Sequence, residues 1–111
     1  MQEGVSRARD AVKRLIEALA EQGVNVDEAY LFGSYARGTW IRESDVDVVL
    51  VSDDFKEIRF NDRLDMVNAL VFREGIRPHI EAIPLTSDEF RDRLEHSVLI
   101  RDASRYWIRV V

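Results

Sequence analysis

Residues 31–52 read LFGSYARGTWIRESDVDVVLVS, and the side chains best suited to chemistry are concentrated there. Asp45 and Asp47 stand two apart at the head of the apolar run VDVVLV. Side chains alternate along a strand, so the two carboxylates share a face, about 6–7 Å apart along the backbone, while Val46 and Val48 point the other way. Two like charges 4 Å apart repel by about 1 kcal/mol in water and by about 4 kcal/mol at an effective dielectric of 20. Crowded carboxylates are therefore costly unless a cation pairs with them. A divalent ion reverses the sign of that interaction. Hard oxygen donors, in a chain with no Cys, favour Mg²⁺, with Mn²⁺ as the alternative, over zinc. The competing explanation is structural: Asp45 as a turn cap and Asp47 as a solvated strand residue.

Two further features weigh against that explanation. Gly33-Ser34 follows the apolar run AYLF and opens a short helical turn at 34–37. Backbone N–H groups there, with the Ser34 hydroxyl, would cradle phosphate oxygens. Glu81 stands mid-run in HIEAIP, where alternation calls for an apolar residue, and pairing of its strand with 46–52 would bring it beside Asp45 and Asp47. Three carboxylates next to a phosphate-binding turn meet the needs of phosphoryl-type transfer. In that chemistry two ions bridge the acidic groups, orient a nucleoside triphosphate and stabilise the developing charge.

The elements that must position these residues are legible in the patterning. Val5, Ala8, Val12, Leu15, Ile16 and Leu19 recur at helical spacing before Gly23, which predicts a helix over about 4–22 with a glycine C-cap. AYLF and the β-branched run at 46–52 are strands. Phe60, Leu64, Val67 and Val71 predict a second helix over about 57–74, with Asn61 as its N-cap and Gly75 beyond its end. PHIEAIPL predicts a strand at 78–83, and Thr86-Ser87-Asp88-Glu89 has capping-box spacing for a helix over 87–97. YWIRVV reads as a last strand. The order implies an α+β fold, a small mixed twisted sheet with helices packed on it, the second helix crossing over to bring strand 78–83 into the same sheet.

Composition narrows the function class. The 111 residues fit a single domain, 1–111, with no repeat or linker. No apolar run is long enough to span a membrane, and MQEGVSRARD lacks the apolar core of a signal peptide. The absence of Cys leans toward the cytoplasm. A net charge of −5 argues against a protein that coats nucleic acid.

Residues 33–47, G-S-Y-A-R-G-T-W-I-R-E-S-D-V-D, resemble the signature G-S-x-A-x-G-x(5)-S-D-x-D of the DNA polymerase β-like nucleotidyltransferase superfamily. In particular they resemble its minimal nucleotidyltransferases, and the order of elements agrees over nearly the whole chain. The resemblance implies the polymerase β-like fold. It implies that Gly33 and Ser34 bind the β- and γ-phosphates and that Asp45 and Asp47 hold two Mg²⁺ ions. Glu81 corresponds to a third carboxylate, often Asp, that helps hold the catalytic ion and activates the acceptor hydroxyl. Arg37, inside the signature, would meet the triphosphate, unless it is a solvated loop arginine.

The reaction so implied is transfer of AMP from ATP to a hydroxyl, with release of pyrophosphate. Members of this size resemble the antitoxin of a toxin–antitoxin pair, in which the transferase adenylylates a tyrosine of a HEPN-domain protein. A chain of 111 residues leaves no room for a domain that holds the acceptor, so a protein partner must present its own. Two other functions compete: a non-catalytic nucleotide-binding module that neutralises its partner by complex formation, and a transferase acting on a small molecule or an RNA end. Outside the signature, His79 shares the strand face of Glu81 and reads as a partly buried histidine. Trp40 reads as packing rather than base stacking. Tyr106 and Trp107 alternate in the last strand, which would turn one of them outward as a partner surface.

Overall fold

The computed structural model describes residues 2–111. Helix α1 (Gln2–Glu21) leads into strand β1 (Glu28–Phe32), which runs directly into the short helix α2 (Gly33–Arg37). Strand β2 (Val46–Val51) and a 3-10 turn at Asp53–Phe55 follow, then α3 (Phe60–Arg73), β3 (Ile80–Leu85), α4 (Ser87–His96), α5 (Val98–Ala103) and β4 (Ile108–Arg109). The four strands form one mixed sheet in the order β3-β2-β1-β4. β1 pairs antiparallel with β2 and β4, whereas β2 and β3 are parallel and joined through α3. The fold is α+β, as the patterning implies. No described helix is long and apolar enough to cross a membrane.

Strand alternation divides the interior in two. Ala29, Leu31, Val46, Val48, Leu50 and Ile80 face α1 and α3, where Ala8, Val12, Leu15 and Leu19 supply the stripe expected of α1. Gly23 ends that helix at φ +87°, and Val24 N–H reaches back to Leu19 O at 2.9 Å. Tyr30, Phe32, Val49, Val51 and Leu85 face the other way, against Phe90 of α4 and Ile100 and Ala103 of α5. Asp47 has the parity of Val49 and Val51. It therefore belongs to this second face, at the end of β2 where the helical cover stops.

Several boundaries differ from expectation. Helix α3 starts at Phe60 with no side-chain cap, and Asn61 is an exposed residue of its first turn. Its entry is set instead by Arg63, whose Nε donates to Ile58 O at 2.8 Å. Strand β3 runs two residues later than the pattern suggests and includes Pro84. Val46 N–H donates to His79 O and Ser52 N–H to Leu85 O, so the odd-numbered positions of β3 face β2. Pro84 points its missing donor away from the sheet, which an edge strand tolerates. Residues 98–103 form an additional helix, capped by Ser97 Oγ, and the final strand is confined to Ile108–Arg109, because Tyr106 and Trp107 N–H turn back to Ala103 O at the end of that helix. Trp107 stacks on Tyr30 with centroids 4.3 Å apart, and Tyr106 is half-buried, so neither presents the exposed aromatic edge expected there.

The capping box forms as expected: Thr86 Oγ1 accepts from Glu89 N–H at 3.2 Å, and Glu89 Oε1 from Thr86 N–H at 2.9 Å. The same Glu89 receives Arg63, which is 4% exposed and also donates to Pro84 O at 3.1 Å. The guanidinium holds the Glu89 carboxyl below its ordinary value. One side chain thus ties α3, the end of β3 and the start of α4 together. Arg63→Met leaves the Ile58 and Pro84 carbonyls without that donor and should cost about 2 kcal/mol. Urea unfolding checks this as a lower midpoint at unchanged slope.

Candidate active site

Parallel register sets Asp47 opposite Glu81 on neighbouring strands, and antiparallel register sets Phe32 opposite Asp47 on the other side. The two carboxylates therefore share the sheet face that α4 and α5 leave open at this end. Asp45 lies one residue before β2 begins, so it is a loop residue rather than a strand residue. Its charge still reaches Asp47.

Gly33, directly after Phe32, closes against this group. Its φ is +72°, and a Cβ built there would overlap Asp47 Oδ2 and lie 3.0 Å from Asp47 Cγ. Only glycine satisfies both the left-handed backbone and the close approach. Ser34 follows in the first turn of α2, half-buried beside the carboxylates' end of the sheet. The loop from α2 to Asp45 is held by packing: Trp40 stacks on Tyr35 at 5.6 Å and presses on Gly4 of α1, where a Cβ would overlap the indole. Trp40 is thus a packing residue, as read. Ser44 then closes the turn that delivers Asp45, accepting from Ile41 N–H through Oγ at 2.8 Å and donating its own N–H to Ile41 O at 3.0 Å.

Burial pushes the Asp47 carboxyl up to about 6, and the nearby Glu81 and Asp45 charges push in the same direction. None of the three forms an ion pair among the described residues. Among these residues no three His, Cys, Asp or Glu side chains converge closely enough to make a metal-binding group. The donor chemistry nevertheless fits a hard divalent cation: three carboxylates without cationic partners, with Asp47 in electrostatic range of both others and its pKa raised by burial and like charge.

An open cleft of about 660 Å³ runs from Asp47 and Glu81 over β3 toward Leu64 and Asn68 of α3, with Leu99 of α5 at its rim. His79 lines it too and is exposed, not partly buried as expected. Asn68 escapes a sequence reading because it looks like one more polar residue on a helix; its signal is the spacing of four from Leu64. Arg37 lies at the other end of α2. It meets Asp102 of α5 at 3.3 Å and sits 4.5 Å above the Tyr106 ring, away from the cleft.

The nucleotidyltransferase domain family matches residues 12–104. The chain belongs to that family. This nucleotidyltransferase is 31% identical over 88 residues, 78% of its length, to a protein of Methanocaldococcus jannaschii whose name proposes protein adenylyltransferase activity; the match covers 82% of that protein. It is similar to the crystal structure of a proposed nucleotidyltransferase from Sulfolobus solfataricus, with a TM-score of 0.60 and 33% identity over 82% of this chain and 77% of the other. A toxin–antitoxin crystal structure with AMP-PNP shares the fold at a TM-score of 0.60 and 17% identity, over 93% of this chain and 72% of that one.

Gly33→Ala in the nucleotidyltransferase should destabilise by more than about 1 kcal/mol, through strain at positive φ and the collision with Asp47. Thermal melting reads this directly. In the metal-free protein, Asp47 keeps its proton up to about pH 6, whereas an unfolded chain loses it near pH 4. The folded state thus binds the extra proton, and stability falls as pH rises through that interval. Asp47→Asn removes the effect, so the variant's advantage over wild type should grow between pH 4 and 6. Allowing for solvent screening of a half-buried group, it should level off on the order of 1 kcal/mol. Melting curves of both proteins across that range in EDTA give the measurement; a constant difference would contradict the assignment.

Proposed function

We propose that this nucleotidyltransferase transfers AMP from ATP to a hydroxyl of a partner protein, a tyrosine of a HEPN-domain toxin, and so serves in the cytoplasm as its antitoxin. The observation that carries the reading is the parallel pairing of Asp47 with Glu81, with Gly33 closed against Asp47. The activity named for the archaeal relative supports a protein as acceptor. The toxin–antitoxin neighbour supports the same fold serving in such a pair.

In this reading Asp45, Asp47 and Glu81 would hold two Mg²⁺ ions, whose charge would neutralise that of the phosphates. Ser34 and the first backbone N–H groups of α2 bind the β- and γ-phosphates, and Gly33 leaves the room that this approach needs. Arg37 takes a phosphate oxygen only by leaving Asp102, an exposed pair that costs little to break. Glu81, the most exposed of the three carboxylates, receives the acceptor proton at the cleft. The acceptor oxygen forms its bond to the α-phosphorus as the bond to the α–β bridging oxygen breaks. Pyrophosphate leaves with that electron pair, roughly opposite the incoming oxygen.

The test is transfer of label from ATP labelled in its α-phosphate, with Mg²⁺, to the protein encoded next to this chain, which the proposal expects to carry a HEPN domain. Label should appear on a tyrosine and fall by at least about a hundredfold in Asp45→Asn, with the melting temperature of the variant no lower. Neutralisation of the partner that persists in Asp45→Asn without any label would favour the binding module instead.

A further inference from the structure

The cleft beside Glu81 does not stop there. Asn68 and His79 also line a second hollow of about 170 Å³, bounded by Val71, Phe72 and Arg77. The two hollows lie on either side of these shared side chains and together make one groove along the outer edge of β3. Its walls are regular. Leu64, Asn68 and Phe72 are spaced by four and form a single ridge of α3. Glu81 and Ile83 alternate along one face of β3, and His79, just before the strand, continues the same line. From Leu64 to Phe72 the ridge rises about 12 Å, the length of roughly four extended residues.

Three properties of the groove bear on its occupant. First, it opens on the Glu81 side of the carboxylates, and neither Gly33, Ser34 nor Arg37 lines it. An in-line displacement that drives pyrophosphate toward Gly33-Ser34 brings its acceptor from the opposite side, which is this one. Second, its far end carries Phe72, 89% exposed, the most exposed large apolar side chain among the described residues. Third, its charge is polarised: Asp47 and Glu81 at one end, and at the other Arg77, which is exposed and makes no ion pair among the described residues.

We propose that this groove is the acceptor track. It takes an extended polypeptide segment that presents its hydroxyl to Glu81, lays an apolar side chain on Phe72 about four residues away, and meets Arg77 with a carboxylate. Asn68 and His79 are positioning residues that hold the segment between those points. The inference rests on the transferase reading above and adds which face of the domain the partner approaches.

The experiment compares wild type with Asn68→Ala, His79→Ala and Phe72→Ser, all at exposed positions. Transfer from α-labelled ATP to the partner protein proposed above is followed at varied acceptor and at varied ATP. Binding of a non-hydrolysable ATP analogue is titrated in parallel. The KM for the acceptor should rise roughly tenfold in each variant, while the KM for ATP and the Kd of the analogue stay within about twofold. A weakened analogue Kd with unchanged acceptor KM would give the groove to the nucleobase and overturn the proposal. Unchanged values throughout would place acceptor entry elsewhere and leave the transferase reading standing. No transfer by wild type would overturn that reading, and the track with it.

Discussion

The site depends on one constraint, the parallel register of β2 and β3. That register sets Asp47 against Glu81, and nothing in the local sequence of either strand requires it. Parallel strands need a crossover, and α3 is that crossover: its buried side, Val67, Leu70 and Val71, packs into the same layer as α1. A slip of one residue in β3 would turn Glu81 toward the core and Ile80 toward the cleft. Ile80 is fully buried, so the hydrophobic cost of that slip protects the pairing of the carboxylates.

Around this register the molecule spends polar groups to hold geometry. Arg63 and Glu89 fasten the far end of β3 to α3 and α4, with the guanidinium buried and its donors directed to carbonyls and carboxylate. Asp53, accepting from the Ser87 N–H at 2.9 Å, ties the turn after β2 to the start of α4. The near end of the sheet has no such fastening. Asp47, Glu81 and Asp45 lack cationic partners among the described residues, and Asp47 keeps its proton unusually well. A fold that satisfies its polar groups at one end of a strand pair and leaves like charges facing each other at the other end concentrates local instability at its site, as sites for a charged ligand do.

Much of this was legible beforehand. The apolar stripe of α1, the Gly23 cap and the Thr86–Glu89 box depend on residues within a few positions of one another, and all three formed as read. The roles of Gly33, Asp45, Asp47 and Glu81 were suggested by residue type and spacing, and Gly33, Asp47 and Glu81 do meet. Elsewhere local pattern misled. Tyr106 and Trp107 alternate as a strand would, yet both N–H groups turn back to Ala103 O and Trp107 stacks on Tyr30 and Phe90. His79 reads as partly buried, but it lies just before β3, an edge strand, and is exposed there.

The periodicities, the ends at Gly23 and Thr86 and the chemical types gathered in 33–47 were fixed along the chain, because these follow from interactions among near neighbours. Tertiary structure alone decided which carboxylates share a face, that Arg63 reaches Glu89 across 26 residues, and that Arg37 turns to Asp102 across 65. It also decided that Leu64, Asn68 and Phe72 border the groove that leaves the site. The physical reason is the same in each case. Contacts between distant segments are chosen by which apolar faces can be buried together, and that choice belongs to the whole fold rather than to any window of the chain.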